Sequence, residues 1–460
     1  MNKNDALLTS ASFLVTEDCN LRCKYCFENE KRSRSNMSWE TAKKGMDFLC
    51  KNAKKSGSKS FNVMLFGGEP MLRPDLIEQI FKYGIELSQV SGVPFLCNMI
   101  TNGTLLTPRM EELIRQYGDQ IGFAVQLSVD GIKEVQNMYR VTADGHGSFD
   151  MVEKNIKRFQ ALFPDQQRLN IHGCINKQSL PFLFQNYKFF REDWGFKRTW
   201  FIPVQEEEWD DNDIVIYGQQ LDLIADYELD VVRRTGVIDE AKLYAPLNRC
   251  FERDMYQEKT CGAGGGFVTI SANGDIYPCH HIYFNDFEKE TKLGDVWTGV
   301  DDSRRRIFLE YSGADLCGDT CDNYQCYRCL AVNWVANGSI IGQVQGMYCK
   351  LMSQDRRVQL RIRKEIEEMG LLNLNNNQGN VNMRQGNNPD NPACLCDLRS
   401  GIEQTIPTQQ EQQGKSCECG NASSEEAFEI LAQALKKVID TQEYQGHLLE
   451  ILTKKSLADK

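Results

Sequence analysis

The stretch Cys19-Asn-Leu-Arg-Cys23-Lys-Tyr-Cys26-Phe27 places three thiols in one short loop, directly after the apolar run Ala11 to Val15. The count decides the reading. A cubane cluster needs four ligands, so a loop with three thiolates leaves one iron open to an outside ligand, as a catalytic metal site requires. A structural zinc loop that borrows a distant fourth cysteine, or a set of reduced core thiols, is the plainer alternative. A loop placed at the end of the first strand favours neither.

Outward from this loop, short apolar stretches alternate with amphipathic helical ones, the pattern of βα units around a parallel sheet. Strands are expected at Ala11 to Val15, Phe61 to Phe66, Phe95 to Ile100, Gly122 to Ser128, Leu169 to Cys174 and Arg198 to Ile202. Helices are expected over Ser38 to Lys51, with Ser38 as N-cap, and over Pro74 to Ser91, with proline in the opening turn. Six such units make a partial (β/α)6 barrel, an α/β fold whose functional side chains belong at the C-terminal ends of the strands.

The 460 residues suffice for a barrel-sized domain plus smaller units, and 53 basic against 64 acidic residues give a net charge of −11. That balance argues against a protein whose main task is gripping nucleic-acid phosphates. No 18-residue apolar stretch marks a membrane span, and Met1-Asn-Lys-Asn-Asp5 lacks the apolar centre of a signal peptide, so a cytoplasmic chain is expected. In a reducing compartment, eighteen cysteines point to metal or cluster ligation rather than disulfides. Eight fall from Cys250 to Cys349, while Cys50, Cys97 and Cys174 stand alone in apolar contexts and read as inert core thiols.

Texture sets the expected boundaries. A tail (1–12) precedes the barrel (13–240). A cysteine-rich region (241–370) with Gly262-Ala-Gly-Gly-Gly266 has few long apolar runs and is expected to need metal to hold it, with a helix from Asp355 to Met369 closing it. A polar linker (371–423) carries Cys394-Leu-Cys396 and Cys417-Glu-Cys419, which either gather one metal or cluster or belong to a disordered tail. The spacing of Phe428, Leu431, Leu435, Val438 and Ile439 predicts a terminal helix (424–460) that docks on the enzyme or binds a partner.

The three- and two-residue gaps between Cys19, Cys23 and Cys26, with Tyr25 before the last, resemble the cysteine motif of the radical S-adenosylmethionine (SAM) superfamily. The resemblance extends along the barrel. Phe66-Gly67-Gly68-Glu69-Pro70 is similar to the family's motif for the SAM amino group, where glycines let backbone approach a ligand and a carboxylate or carbonyl accepts from an ammonium. Asn102, in Thr101-Asn-Gly103, ends the third strand, and Ser128, in Gln126-Leu-Ser-Val-Asp-Gly131, ends the fourth. Arg140 follows where a guanidinium pairs with the SAM carboxylate. A surface salt bridge for Arg140 and a plain turn role for Asn102 are the competing readings. The resemblance thus implies a [4Fe-4S] cluster on the three cysteines and SAM contacts at Tyr25, Gly67, Gly68, Glu69, Asn102, Ser128 and Arg140. It further implies one-electron cleavage of SAM to methionine and a 5′-deoxyadenosyl radical that abstracts a substrate hydrogen.

Cys261 to Cys279, with Gly274-Asp-Ile-Tyr-Pro-Cys279 inside it, looks like the opening of a SPASM domain, which carries auxiliary [4Fe-4S] clusters in radical SAM enzymes that modify peptides and proteins. Over Cys317, Cys321, Cys326 and Cys329 the gaps of three, four and two depart from the family's two, five and three. By analogy one auxiliary cluster would use Cys261, Cys279, Cys329 and Cys250, and a second Cys317, Cys321, Cys326 and Cys349. Without Cys250, the first would have an iron open to a substrate thiolate. Zinc ribbons are the plainer reading of the array.

The SPASM resemblance implies a peptide or protein substrate, best matched by maturases of ribosomally made peptides that install carbon-sulfur or carbon-carbon crosslinks; thioethers in a cysteine-containing peptide are the preferred version. Anaerobic sulfatase-maturating enzymes, which make formylglycine, share the plan but place an aspartate base where this chain has His280, followed by His281. His280 is therefore the candidate base near neutral pH, against a reading as ordinary structural polarity. An iron-sulfur electron carrier or scaffold is the non-catalytic alternative, and the SAM-contact motifs speak against it. A flavodoxin or ferredoxin is the expected reductant. With Cys19 so near the start, leader recognition is expected from the tail, the barrel face or a separate protein.

Overall fold

Six parallel strands run side by side in chain order: β1 (Ser10–Thr16), β2 (Phe61–Gly67), β3 (Phe95–Thr101), β4 (Ala124–Ser128), β5 (Leu169–Ile175) and β6 (Thr199–Pro203). The computed structural model describes residues 7–28, 34–236, 261–286, 289–311, 329–341 and 346–371. Every expected strand is present, with its ends moved by no more than two residues. Between them lie α1 (Trp39–Ser56), α2 (Pro74–Ser91), α3 (Pro108–Tyr117), α4 (Lys133–Tyr139), α5 (Phe149–Leu162) and α6 (Leu183–Glu192), and α7 (Asp211–Thr235) follows β6. α1 starts where expected because the Ser38 hydroxyl accepts from Thr41 N–H, and it runs on to a left-handed cap at Gly57.

The two faces of the sheet differ. One face, with Phe13, Val63, Leu65, Val125, Leu127 and Ile171, joins the helices in the main core. Residues of the opposite, inner face alternate with these, as the pleat requires. Towards β1 and β2 this inner face is apolar, with Leu14, Met64 and Phe66. Along β4 to β6 it carries the half-buried Gln126, Ser128, Asn170, His172, Cys174 and Trp200. Cys50 and Cys97 are buried as expected of core thiols, but Cys174 is not one: it is half-buried on the inner face near the C-terminal end of β5.

The cysteine-rich region holds more regular structure than its texture suggests. β7 (Phe267–Ile270) pairs in parallel with β1, and β8 (Asp275–Tyr277), β9 (Gly294–Asp295) and β10 (Gly299–Val300) extend the same sheet in antiparallel steps to ten strands. The Ser12 and Thr269 hydroxyls hydrogen-bond across the junction at 2.6 Å. Val268, Ile270, Ile276, Ile282 and Leu293 enter the barrel's own core, so apolar packing holds these residues. Strands of two to four residues leave no periodicity to read.

Four further helices are described: α8 (His280–Asn285), α9 (Asp302–Glu310), α10 (Leu330–Asn337) and α11 (Met347–Glu368). α11 begins eight residues before the expected Asp355, and Cys349 sits in its first turn rather than in a loop. It lies along α7, where Tyr217 donates to Asp355 at 2.8 Å and Arg357 and Arg361 both bond Asp222. No helix among the described residues is long and apolar enough to cross a membrane. Cys250, Cys317, Cys321, Cys326, Cys394, Cys396, Cys417 and Cys419, the linker beyond residue 371 and the helix expected over 424–460 lie outside the described residues.

The Ser38 cap gives a direct check on how α1 is started. Ser38→Ala is expected to lower the unfolding free energy by about 1 kcal/mol in a denaturant titration, with Ser38→Asp close to the parent.

Candidate active site

The chain leaves β1 at Thr16 and turns at once into the cysteine loop. Cys19 and Cys26 are half-buried and Cys23 is buried. Backbone bonds tie the loop to the segment after α4: Arg22 N–H donates to Val141 O at 2.6 Å and Lys24 N–H to Tyr139 O at 3.0 Å. Donors aim at sulfur as well, with Leu21 N–H 3.4 Å and Asn102 Nδ2 3.8 Å from Cys19 Sγ.

The Gly-Gly-Glu-Pro segment approaches this loop from the end of β2. Gly68 N–H donates to Thr16 O and Glu69 N–H to Asp18 O, both at 2.9 Å. A Cβ on either Gly67 or Gly68 would fall 2.1 Å from a backbone oxygen of that loop, and Gly67 has φ +117°. The glycines therefore serve a close approach of the chain to itself. Glu69 is fully buried. Its carboxylate accepts from Met71 N–H at 3.0 Å, Thr101 Oγ1 at 2.8 Å and Asn102 N–H at 2.8 Å. Burial pushes its carboxyl up from the usual range, against three donors that favour the charged form. With these donors Glu69 locks the tops of β2 and β3 together.

Asn102 fills a turn and also reaches the thiol loop. Its Oδ1 accepts from Thr104 N–H and Oγ1 as a turn residue does, and its Nδ2 reaches Asn20 Oδ1 at 2.9 Å as well as Cys19 Sγ. Asn20 in turn donates to Thr104 Oγ1 at 2.8 Å.

On the other side stands Asp130, which the sequence reading passed over although it lies two residues after Ser128. Arg140 Nε sits 2.9 Å from its Oδ1, Tyr25 donates to its Oδ2 at 2.6 Å, and Cys174 N–H donates to its Oδ1 at 2.9 Å. The Arg140 guanidinium also lies over the Tyr25 ring, 5.4 Å from its centroid. Arg140 is thus in an ion pair, but a buried one rather than a surface one. Asp130 joins three places distant in sequence: the cysteine loop, the residue after α4, and β5. Ser128 ends β4 on the inner face, in register with His172 of β5.

The three loop thiols fit a [4Fe-4S] cluster. Among the described residues no three His, Cys, Asp or Glu side chains gather as a single metal ion would need. A cubane instead spreads one thiolate to each of three irons, and N–H groups aimed at sulfur suit that state. Burial pushes the Cys23 thiol up to about 12, so a metal must displace its proton on binding.

A second group forms where α8 begins. Cys279 Sγ accepts from Ile282 N–H at 3.3 Å, Cys261 Sγ accepts from Ala263 N–H at 3.4 Å, and Cys329 precedes α10. Burial first, and then the nearness of Cys329 and Cys261, raises the Cys279 thiol well above its usual value. The next residue, His280, does not resemble a poised base. Its ring lies tilted against that of Phe66, with centroids 4.2 Å apart, and burial pulls its pKa down to about 3. His281 differs: burial opposes its charge, but Cys329 and Glu206, at 2.8 Å, hold it up at about 9. Since Glu206 lies beyond β6 while Tyr283 bonds Glu17 beyond β1 at 2.7 Å, α8 bridges the two ends of the parallel sheet.

Residues 13–178 match the model of the radical SAM superfamily. A radical SAM cyclopropyl synthase of Paramaledivibacter caminithermalis is 22% identical over 289 residues, 59% of this chain and 57% of that protein. A cysteine-type anaerobic sulfatase-maturating enzyme of Clostridium novyi is 27% identical over 201 residues, 43% of this chain and 52% of that one. The antilisterial bacteriocin subtilosin biosynthesis protein AlbA of Bacillus subtilis is 26% identical over 310 residues, 65% and 59% respectively. The matched stretches span about half the length of these relatives. Among solved structures, anSMEcpe with bound AdoMet superposes with TM-score 0.60 at 19% identity, covering 79% of this chain and 99% of that one, a likeness of fold.

Removing one partner of a buried ion pair exposes the cost of the other. Asp130→Ala is expected to lower the unfolding free energy by about 3–5 kcal/mol, and adding Arg140→Met should recover a large part of that loss, as measured by denaturant melts of both variants.

Proposed function

Because residues 13–178 form a radical SAM domain, we propose that this chain is a peptide maturase that holds a [4Fe-4S] cluster on Cys19, Cys23 and Cys26 and oxidatively crosslinks a cysteine-containing, ribosomally made peptide through a thioether. The observation that carries the proposal is the three-thiol loop at the end of β1, fixed from one side by Glu69 and Asn102 and from the other by Asp130. A cluster held there would supply the electron for splitting the SAM sulfonium into methionine and a 5′-deoxyadenosyl radical. The chain's own residues position the reactants. Backbone of the Gly67-Gly68-Glu69 loop would hold the SAM ammonium and Arg140 with Ser128 its carboxylate, while Tyr25 and Asn102 hold the thiol loop in place. α8 covers the inner face beside β1 and β2, which excludes water.

A thioether forms from a thiol and a C–H bond with loss of a proton, a hydrogen atom and one electron, so an acceptor is needed. Cys261, Cys279 and Cys329, with Cys250, are the donor set for one auxiliary cluster, and Cys317, Cys321, Cys326 and Cys349 for a second. Relatives named for bacteriocin biosynthesis and cyclopropyl synthesis support bond formation on a peptide. Formylglycine formation, supported by the sulfatase-maturating relative, is the second reading; His280, packed among aromatic rings, disfavours it. A flavodoxin or ferredoxin is the proposed reductant, the tail, the barrel face or a separate protein the proposed leader-binding element, and the cytoplasm the proposed location, in keeping with a chain of eighteen cysteines.

Anaerobically reconstituted protein with dithionite should release 5′-deoxyadenosine, and replacing Cys19, Cys23 and Cys26 together by alanine should abolish release and remove about four irons per chain. A cysteine-containing peptide encoded beside the gene should lose two hydrogens per link by mass spectrometry. An unchanged peptide mass alongside active SAM cleavage overturns the crosslinking reading, and conversion of a sulfatase-motif peptide instead establishes the second.

A further inference from the structure

Three polar atoms on the inner face have no hydrogen-bond partner although they are buried: Asn170 Oδ1 and His172 Nε2 of β5, and Trp200 Nε1 of β6. They are neighbours. Asn170 and His172 are two residues apart on one face of the strand, and His172 is in register with Trp200, whose ring meets the imidazole edge-on with centroids 5.3 Å apart. Buried donors and acceptors are nearly always satisfied, so a contiguous trio of unmet groups on a concave face points to a ligand that meets them.

The chemistry of the wall limits what that ligand is. Gln126, Ser128, Asn170, Cys174 and Trp200 carry no charge at neutral pH, and burial keeps His172 neutral by pulling its pKa down to about 3. Arg140, the charge that bears on His172, is already engaged by Asp130 and lies where the proposed SAM carboxylate would take it. A carboxylate or ammonium would find no counter-charge here, whereas a group with one donor and one acceptor finds both complements. Across the inner face, Leu14, Met64 and Phe66, joined by Phe284 of α8, offer an apolar wall for a side chain.

We propose that the inner-face cluster of Asn170, His172 and Trp200 binds a backbone amide of the substrate peptide, Trp200 Nε1 donating to its carbonyl and Asn170 Oδ1 accepting from its N–H. The identity of the ligand rests on the peptide reading above; the unmet polar cluster does not. These positions lie two and four residues below Cys174 along β5, about 7 and 13 Å at the rise of a strand.

The test uses cluster-loaded, SAM-bound protein and two probes of one shape, N-phenethylpropionamide and its ester isostere phenethyl propionate, with binding followed by ligand-observed NMR. Both share the carbonyl, and only the amide has the N–H. The amide is expected to bind about tenfold more tightly than the ester. Asn170→Leu should erase that preference while leaving ester binding in place. Trp200→Phe, which keeps the ring against His172, should weaken both probes by a similar factor. Equal binding of amide and ester to the parent protein, or a preference that survives Asn170→Leu, overturns the proposal and leaves the trio to water. The peptide reading fails separately. A chain that discriminates the probes but crosslinks no peptide keeps the amide site and loses the function, and one that crosslinks without discriminating keeps the function and loses the amide site.

Discussion

Asp130 is the constraint on which the thiol loop's position depends. Its carboxylate takes the Arg140 guanidinium, the Tyr25 hydroxyl and the Cys174 amide, three groups that arrive from separate parts of the chain. A buried charge without its partner is costly, so each of these groups is drawn to one point. The consequence is that the cysteine loop after β1 lies against the ends of β4 and β5, and the parallel strands must curl for that to happen. A flat sheet with the same strand order would leave the loop at one edge.

Glu69 performs the matching task on the near side. Three donors converge on a carboxylate with no exposure, and the two glycines before it admit backbone within hydrogen-bonding distance of Thr16 and Asp18. The loop is therefore gripped from both sides, by Asp130 and by Glu69. Preorganisation of this kind means that little rearrangement accompanies ligand binding, and the binding energy goes into orientation.

The cysteine-rich region is built onto this frame. Its first strand joins β1, its apolar residues enter the barrel's core, and α8 spans from the end of β1 to the loop after β6 through Tyr283 and His281. An auxiliary metal centre formed by Cys261, Cys279 and Cys329 would therefore be rigidly coupled to the barrel mouth, which suits electron exchange with a substrate held on the inner face.

The six strands and the helices between them were legible in the sequence because their apolar spacing is set by burial on one face, a local pattern. The thiol loop was legible because ligand number and gap length are themselves sequence properties. The short strands β7 to β10, the early start of α11 at Met347 and the inner-face position of Cys174 were not, since each is decided by what lies opposite rather than by neighbours in the chain. The same holds for function: Asp130 looked like one more residue in Gln126-Leu-Ser-Val-Asp-Gly131, and His280 looked like a base. Only the tertiary structure put the first at a three-way junction and the second between aromatic rings, because a side chain's charge state and partners are set by contacts that residue order does not encode.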